Sequence, residues 1–120
     1  MKNTVEKNDI FWWKKIRNDE LTTALKLFPS DKNLKVLEIG GRDGYQAELI
    51  SKKGYNVTSI DINPLFPQFY PVQKGDITKL NFEDDSFDII YSSNMLQEIQ
   101  HIEESFIEMK RVLKKDGVII

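Results

Sequence analysis

A short glycine-rich stretch and the acidic residues around it are the part of the sequence best suited to chemistry. Gly40, Gly41 and Gly44 lie within five residues, Glu38 precedes the first of them by two, and Asp61 lies 21 residues after Gly40. Glycine lacks a Cβ atom, so its backbone can approach a ligand closely and adopt a positive φ at low cost. A helix that begins directly after such a turn presents free N–H groups, which favour a carboxylate or a phosphate. The stretch is therefore a candidate binding loop for a charged small molecule.

Asp61 narrows the choice of ligand. In sheets whose strands alternate with helices, an acidic side chain about 20 residues beyond the first glycine accepts hydrogen bonds from the two hydroxyls of an adenosine ribose. The alternatives are an ordinary strand-to-helix turn at the glycines and a solvated aspartate that caps the turn before Pro64. The two features occur together at a suitable separation, so the ribose interpretation is favoured over both alternatives.

Hydrophobic patterning predicts the elements that must position these residues. Short apolar runs bounded by turn residues predict strands, and apolar residues at helical spacing predict helices. The predicted strands are Lys35–Ile39, Asn56–Ile60, Val72–Asp76, Phe87–Ser92 and Val118–Ile120. The predicted helices are one that buries Leu21, Ala24, Leu25 and Phe28 and ends at 29–31, a second at Tyr45–Lys53, and a third at Ile102–Lys114 with Ile102, Phe106, Met109 and Leu113 inward.

The alternation of strands and helices predicts an α/β fold, with a Rossmann-like, doubly wound parallel sheet and flanking helices. Residues 1–30 are assigned to an N-terminal helical segment, and residues 31–120 to the core that contains the sheet. In such sheets ligands bind beyond the carboxyl ends of the strands, near the point where the strand order reverses. The residues to consider therefore end the predicted strands: the glycine stretch, Asp61, Asp76 and Ser92.

The segment between the second and third strands departs from this alternation. Pro64, Pro67 and Pro71 fall within eight positions. Proline removes a backbone donor and also restricts the residue before it, so such a segment does not form a regular helix. We therefore expect an irregular connection or a single turn here in place of a crossover helix.

Composition and charge exclude several classes of protein. Of the 120 residues, 40% are hydrophobic and 30% charged, which is too apolar for a disordered chain, and no apolar run is long enough to span a bilayer. The net charge is −2 with only three arginines, so little drives binding to nucleic acid. The absence of cysteine excludes thiolate metal sites, and no other metal site is predicted. The N-terminus lacks the apolar core of a secretory signal, so we expect a cytoplasmic protein without membrane or nucleic-acid partners.

The spacing of the glycines separates two cofactors. A dinucleotide fingerprint, G-x-G-x-x-G, needs a third glycine at position 45, which is Tyr45, so a nicotinamide-dependent oxidoreductase is disfavoured. The run Val36-Leu-Glu-Ile-Gly-Gly-Arg-Asp-Gly44 resembles the first motif of the class I S-adenosylmethionine (SAM)-dependent methyltransferases, of the methyltransferase type 11 kind. Later segments at 75–82, 84–93, 95–99 and 108–117 resemble the same family, in order and with compatible spacing.

The resemblance implies SAM as the cofactor and methyl transfer as the reaction, but it does not indicate the acceptor. The low net charge disfavours nucleic acid, so we expect a small-molecule or metabolite acceptor. The glycine stretch would contact the methionine part of SAM, the residues after the second and third strands its ribose and adenine, and the end of the fourth strand the region of the methyl group. In that order, the residues are Glu38, Gly40, Gly41 and Gly44; Asp61 for the ribose with Ile62 on the adenine; Asp76 for the adenine amino group with Ile77 beside the ring; and Ser92 and Ser93. Glu98 is the candidate general base, which is needed only if the acceptor arrives protonated.

Two departures from the family pattern leave alternatives open. Arg42 stands where the motif usually has its middle glycine, so its side chain either points outward or narrows the binding loop. The family's sheet has seven strands, whereas this chain stops inside the fifth, so we expect a core that lacks strands 6 and 7. Either the chain is a truncated piece of a longer protein, or residues 118–120 form an exposed edge that pairs with a second copy or a partner chain. A SAM-binding module that works through a partner, without transferring methyl groups, is the alternative function.

Overall fold

The computed structural model of the protein describes residues 7–31, 33–92 and 101–120, with side chains from residue 14 onward. Within these ranges the chain forms three helices and five strands. In chain order they are α1 (Lys7–Leu25), β1 (Lys35–Ile39), α2 (Tyr45–Lys52), β2 (Asn56–Asp61), β3 (Val72–Lys74), β4 (Phe87–Ser92), α3 (Ile102–Val112) and β5 (Leu113–Ile119). None of the helices in the described ranges is both long and apolar enough to cross a membrane.

The strands of the described ranges form one parallel sheet in the order β3-β2-β1-β4-β5. The chain builds outward from β1 to β3 on one side and then returns to place β4 and β5 on the other. The strand order reverses between β1 and β4, where Ile39 lies opposite Ser92. This arrangement confirms the predicted doubly wound α/β sheet, and it places the reversal point next to the glycine stretch.

Each face of the sheet has its own hydrophobic core, because successive residues of a strand point to opposite faces. In β1, Val36 and Leu37 are both fully buried, yet they belong to different clusters. The cluster on the α1 and α2 face consists of Leu21, Phe28, Val36, Ala47, Ile50, Val57, Ile89 and Tyr91. The cluster on the α3 face consists of Leu37, Ile39, Ile60, Leu80, Phe87, Ile90, Met109 and Val112. Helices α1 and α2 therefore cover one face of the sheet, and α3 covers part of the other.

The proline-rich crossover, residues 62–71, contains no regular helix, as predicted. Tyr70 takes over part of the covering that a helix would provide. Its ring packs against the cluster on the α1 and α2 face, and its hydroxyl donates a hydrogen bond to the Val57 carbonyl oxygen at 2.6 Å. Leu65, Phe66 and Phe69 of the same segment are exposed. Tyr70 is therefore the main anchor of the crossover on the sheet.

Replacing Tyr70 with alanine should cost more stability than replacing the exposed Leu65. We expect Tyr70→Ala to lower the free energy of unfolding by about 2–3 kcal/mol, because a half-buried ring and a hydrogen bond are lost. Leu65→Ala, at a residue that is 46% exposed, should cost less than about 1 kcal/mol. Urea denaturation of the two variants measures the difference, and equal losses would contradict the anchoring role of Tyr70.

The boundary between α3 and β5 differs from the prediction. Helix α3 ends two residues earlier than expected, and β5 begins at Leu113, five residues before the predicted start. Leu113 pairs with Phe87 while Val118 pairs with Ile89, so β5 bulges away from its neighbour in between. The predicted start at Val118 is wrong, because an irregular edge strand can leave the polar residues 114–116 in solvent. Pairing of this edge with a second chain stays a prediction.

The buried face of α3 is also shifted from the predicted one. Met109 is buried as expected, but Ser105 and Val112 are buried with it, whereas Ile102 and Phe106 are 48% and 38% exposed. Ser105 is accommodated inside because its hydroxyl donates to a main-chain carbonyl oxygen one turn earlier, at 2.8 Å. The apolar pattern alone was misleading here, because a small hydroxyl residue that bonds within its own helix packs closely against a sheet.

Arg111 ties α3 to the loop that follows β3. Its guanidinium donates to the carbonyl oxygens of Leu80 and Phe82, at 2.9 and 2.7 Å, and it pairs with the carboxylates of Glu108 and Asp84 at 2.7 and 2.9 Å. The hydrogen bonds to Glu108 and then to Asp84 raise the pKa of Arg111, so its charge is retained. The loop at 80–84 is thereby fixed, and part of it lines the cleft described below.

Candidate functional site

The glycine stretch forms a tight loop at the carboxyl end of β1. The N–H groups of Gly40 and Gly41 both donate to the Ile60 carbonyl oxygen, at 2.9 Å each, which joins the loop to the end of β2. Gly40 and Gly44 have φ values of 81° and 79°, in the left-handed region that glycine adopts at little cost. The Gly44 N–H donates to the Gly41 carbonyl oxygen at 2.8 Å, and α2 begins directly afterwards at Tyr45. The loop therefore places the amino end of α2 beside the end of β1.

Glu38 lies beneath this loop. It is 2% exposed, and its Oε1 atom accepts a hydrogen bond from the Ser59 hydroxyl at 2.7 Å. A Cβ atom on Gly41 would lie 2.8 Å from the same Oε1 and closer still to the Ser59 hydroxyl, so glycine is the residue that fits above the pair. Burial raises the pKa of the Glu38 carboxyl to about 7, against the lowering effects of Ser59 and Arg17. A buried carboxyl group with a raised pKa, next to a candidate ligand loop, indicates a functional site.

Asp61 connects the end of β2 to the glycine loop. Its Oδ2 atom accepts a hydrogen bond from the Arg42 N–H at 2.8 Å, and its Oδ1 atom accepts one from the Asn63 N–H, also at 2.8 Å. The bond from Asn63 is the turn-capping contact expected of a loop aspartate, whereas the bond from Arg42 fixes the glycine loop. Each carboxylate oxygen accepts more than one hydrogen bond, so the partly exposed Asp61 has capacity left for two hydroxyls of a ligand.

A cleft of about 490 Å³ lies beside the ends of β2 and β3. Ile62, which is 55% exposed, and Asp76 both line it. The Asp76 carboxylate accepts from the hydroxyl and the N–H of Thr78, at 2.7 and 2.9 Å, and these bonds hold the pKa of its carboxyl below its usual range. Ile77 packs against the core cluster on the α3 face instead of lining the cleft. The structure thus brings Ile62 and Asp76 to one cavity of the size that small ligands occupy, but not Ile77.

Ser92 ends β4 at the point where the strand order reverses. It lies opposite Ile39, from which the chain continues directly into the glycine loop. Its hydroxyl oxygen is buried and has no hydrogen-bond partner among the described residues. Because a buried hydroxyl without a partner is costly, it points to a polar ligand group or to a neighbour outside those ranges. Ser93 and Glu98, the other residues predicted for this region, lie outside the described residues.

Arg42 adopts the conformation that its position in the loop requires. Its φ is 56°, in the left-handed region, and its side chain is exposed. That conformation costs a residue other than glycine about 1 kcal/mol or more. The hydrogen bond from the Arg42 N–H to Asp61 offsets part of this cost. The loop therefore keeps a glycine-like shape although the middle glycine of the motif is missing.

Sequence reasoning missed two residues that hold the loop, Arg17 and Asp43. Arg17 is 7% exposed, and its guanidinium donates two hydrogen bonds to the Asp43 carboxylate, of 3.0 and 3.4 Å. The same carboxylate accepts from the Tyr45 N–H, the first of α2, at 3.1 Å. Burial by itself would raise the pKa of the Asp43 carboxyl. The hydrogen bond from Arg17 is the largest of several effects that lower it, so the pKa lies below its ordinary value. The only signal in the sequence was an acid in the glycine loop and an arginine on a predicted helix, which no spacing rule connects.

The proline-rich crossover is bonded to the same loop through its backbone. The Leu65 N–H donates to the Arg42 carbonyl oxygen at 3.0 Å, and the Phe69 N–H donates to the Asp43 carbonyl oxygen at 2.8 Å. The crossover therefore contacts the glycine loop through its backbone, whereas Arg17 of α1 contacts it through a side chain. An irregular segment can supply these donors because its N–H groups are not used within a helix.

The sequence of the chain matches a known family over most of its length. The model of the methyltransferase domain family matches residues 37–120, from within β1 to the residue after β5. The match includes the glycine loop and the carboxylates that follow β2 and β3. The chain therefore belongs to the methyltransferase domain family.

Individual relatives support the same assignment. Malonyl-[acyl-carrier protein] O-methyltransferase of Pectobacterium atrosepticum is 28% identical over 79% of this chain and 40% of its own length. Sterol 24-C-methyltransferase of Gibberella zeae is 31% identical over 71% of this chain and 26% of its own length. The crystal structure of an S-adenosylmethionine dependent methyltransferase from Mesorhizobium loti has the same fold, with a TM-score of 0.68 at 21% identity over 81% of this chain and 50% of that one. The chain spans less than half the length of the curated relatives it matches.

Proposed function

We propose that this protein binds SAM at the crevice between the ends of β1 and β4 and transfers the methyl group to a small-molecule acceptor. The observation that carries the proposal is the hydrogen bond of 2.8 Å from the Arg42 N–H to the Asp61 carboxylate. It holds the candidate methionine-binding loop against the candidate ribose-binding acid, next to the point where the strand order reverses. Membership of the methyltransferase domain family supports the same reaction.

The residues around the crevice suit the chemical groups of SAM. The Glu38 carboxylate complements the methionine ammonium, directly or through water, once it is ionised. Asp61 has acceptor capacity for the ribose hydroxyls, and Asp76 has it for the adenine amino group. The buried Ser92 hydroxyl lacks a partner among the described residues, and a polar group of a bound methionine moiety would supply one. This set of donors and acceptors fits the cofactor that the family implies.

When bound, SAM supplies a methyl group on a cationic sulfur, which is already a good leaving group. The task of the protein is then to hold the acceptor nucleophile in line with that methyl group and to exclude competing water, because alignment alone removes a large part of the barrier. A general base is needed only for an acceptor that arrives protonated. Glu98 stays the predicted base, and Ser93 stays a predicted contact near the methyl group.

The acceptor is proposed to be a small molecule or metabolite. The names of the two curated relatives mention a malonyl group on a carrier protein and a sterol. These compounds share no single recognition chemistry, so neither is carried over to this chain. The net charge of −2 provides no general attraction for nucleic acid, which supports a small acceptor. A SAM-binding module without turnover is the alternative.

Calorimetry with SAM and with NAD tests the cofactor. We expect SAM to bind and NAD not to bind. Asp61→Asn should weaken SAM binding at least about tenfold, because an amide offers one acceptor oxygen in place of two and carries no charge. The matched control is Asp19→Asn, at an exposed aspartate of α1 that pairs with Lys15. Binding of NAD without binding of SAM would overturn the proposal.

Turnover separates the enzyme from the binding module. Incubation of the protein with a cell extract and SAM labelled on its methyl group should transfer the label to small molecules other than SAM. Binding without any transfer would favour the module. Label that appears only in the protein or nucleic-acid fraction would retain the reaction but contradict the proposed class of acceptor.

A further inference from the structure

Helix α1 contacts the candidate cofactor-binding loop and the first turn of α2 through several separate interactions. Besides the Arg17–Asp43 pair, the Asn18 side chain donates to the Tyr45 hydroxyl at 2.9 Å, and the Gln46 side chain donates to the Arg17 carbonyl oxygen at 3.0 Å. The guanidinium carbon of Arg17 also lies 4.8 Å from the centre of the Tyr45 ring, within cation–π distance. These contacts hold the amino end of α2, and with it the end of the glycine loop, against α1.

The Arg17–Asp43 pair acts on the buried Glu38. Burial raises the pKa of Glu38 most, the hydrogen bond from Ser59 and the Arg17 cation lower it, and the Asp43 and Asp61 carboxylates raise it. Arg17 and Asp43 therefore act on Glu38 in opposite directions. Removing the charge of either one changes the ionisation of Glu38 in a direction that can be stated in advance.

From these contacts we propose that Arg17 is a positioning residue for cofactor binding, which fixes the loop after β1 through Asp43 and supplies a positive charge among the acids around Glu38. The inference rests on the proposed function, because it concerns the same site. Arg17 lies before residues 37–120, the part of the chain that matches the family model, so the family pattern does not assign it a role. A nearly buried arginine is costly without its partner, so removal of either member should disturb the loop.

Four proteins test the inference: the wild type, Arg17→Met, Asp43→Asn and the double variant. Each is titrated by calorimetry with S-adenosylhomocysteine, which keeps the amino-acid and adenosine parts of SAM, between about pH 6 and about pH 9. We expect the affinity of the wild type to rise as the pH passes about 7, the pKa of Glu38. Arg17→Met should bind at least about tenfold more weakly at neutral pH, with the midpoint of the pH profile moved upward. Asp43→Asn should move that midpoint downward, and the double variant should fall between the two.

Two further variants control for folding and for general loss of charge. Lys15→Met removes a neighbouring cation of α1 that pairs only with the exposed Asp19 among the described residues, and it should bind as the wild type does. Arg17→Lys keeps the charge but cannot donate both hydrogen bonds to the Asp43 carboxylate in the same geometry. It should therefore bind S-adenosylhomocysteine more weakly, with a midpoint of the pH profile near that of the wild type. Thermal unfolding identifies any variant that does not fold. If Arg17→Met fails to fold, Arg17→Lys and Asp43→Asn decide the question.

The position of the midpoint distinguishes positioning from a purely structural role. Opposite shifts of the midpoint in Arg17→Met and Asp43→Asn support the inference. If Arg17→Met is unfolded, a downward shift of the midpoint in Asp43→Asn, with no shift in Arg17→Lys, supports it instead. Weaker binding with one midpoint in all variants overturns it, because the charges of Arg17 and Asp43 would then not act on Glu38. Absence of binding by the wild type overturns the proposed function, and this inference with it. Binding by the wild type with no effect of any Arg17 or Asp43 variant overturns this inference alone.

Discussion

Replacing Glu38 with glutamine should stabilise the protein at alkaline pH and weaken its hold on a cationic ligand. Glutamine has nearly the same shape, and its Oε1 atom can accept the Ser59 hydrogen bond, which is 2.7 Å long in the wild type. The substitution therefore removes mainly the charge that burial disfavours. We expect the free energy of unfolding to rise by about 2–3 kcal/mol at about pH 8, and by progressively less as the pH falls. Urea denaturation at several pH values measures this.

The direction of the effect follows from the raised pKa of Glu38. Burial raises this pKa from its ordinary value of 4.5 to about 7, so the folded protein holds the proton more tightly than the unfolded chain does. The stability that this group contributes is complete below about pH 4.5, and it is lost as the pH rises through about 7. Glu103→Gln is the matched control, because Glu103 is exposed in the first turn of α3 and loses no buried charge. If Glu38→Gln were no more stable than the wild type at about pH 8, burial of the Glu38 charge would not be a cost.

The same substitution should remove the pH dependence of cofactor binding. In the wild type, affinity for SAM should increase as Glu38 ionises near pH 7, because the carboxylate attracts the methionine ammonium. Glu38→Gln should bind more weakly, with a flat profile over the same range. A gain in stability together with a loss of binding is expected where a residue is retained for function at a cost in stability. A variant that gains stability and keeps full binding would show that Glu38 is not a ligand contact.

Much of the sheet could be predicted from the sequence because its strands are short apolar runs between turn residues. The predicted bounds of β1 and β4, Lys35–Ile39 and Phe87–Ser92, are those observed. The strand order then follows, since right-handed crossovers leave few topologies for alternating strands and helices. The start of β5 could not be predicted, because the bulge at 114–117 depends on the neighbouring strand and not on the local pattern.

The candidate site could be predicted to a similar extent and for a similar reason. Topology brings the carboxyl ends of parallel strands to one edge, so residues that follow the strands, such as Asp61 and Asp76, are predictable. The Arg17–Asp43 contact joins residues 26 apart in the sequence, and it depends on how α1 packs against the loop. No periodicity encodes such a contact. Ile77 faces the core because the chain turns tightly at 76–79, where Asp76 and Lys79 form an isolated bridge.

The glycine loop is held by three elements that are distant in the sequence. Asp61 at the end of β2 accepts a hydrogen bond from the backbone of the loop, and Arg17 of α1 pairs with the loop residue Asp43. The crossover donates two backbone hydrogen bonds to the loop. A binding loop that is fixed before the ligand arrives spends less of the binding energy on ordering. The irregular crossover thus takes part in shaping the candidate site, in addition to covering the sheet.

Gly44→Ala should strongly destabilise the protein, because the loop and the crossover meet at this residue. Gly44 has a φ of 79°, and a Cβ atom would lie 2.8 Å from the Tyr70 backbone nitrogen and closer still to the Tyr70 carbonyl oxygen. Backbone atoms cannot move aside as a flexible side chain can, and the left-handed conformation of alanine adds about 1 kcal/mol or more. We expect the free energy of unfolding to fall by about 3 kcal/mol or more, a large part of the roughly 5–15 kcal/mol typical of a small domain.

Gly54→Ala is the matched control, because it separates conformational strain from crowding. Gly54 also has a positive φ, 104°, but among the described residues, its two chain neighbours apart, no atom lies within 4 Å of the place where its Cβ would be. Its substitution should cost only about 1–2 kcal/mol, from strain alone. Urea denaturation of both variants, with unchanged dependence on denaturant, gives the comparison. Equal losses at the two positions would mean that the backbone around Tyr70 gives way, and that the crossover does not fix the glycine loop.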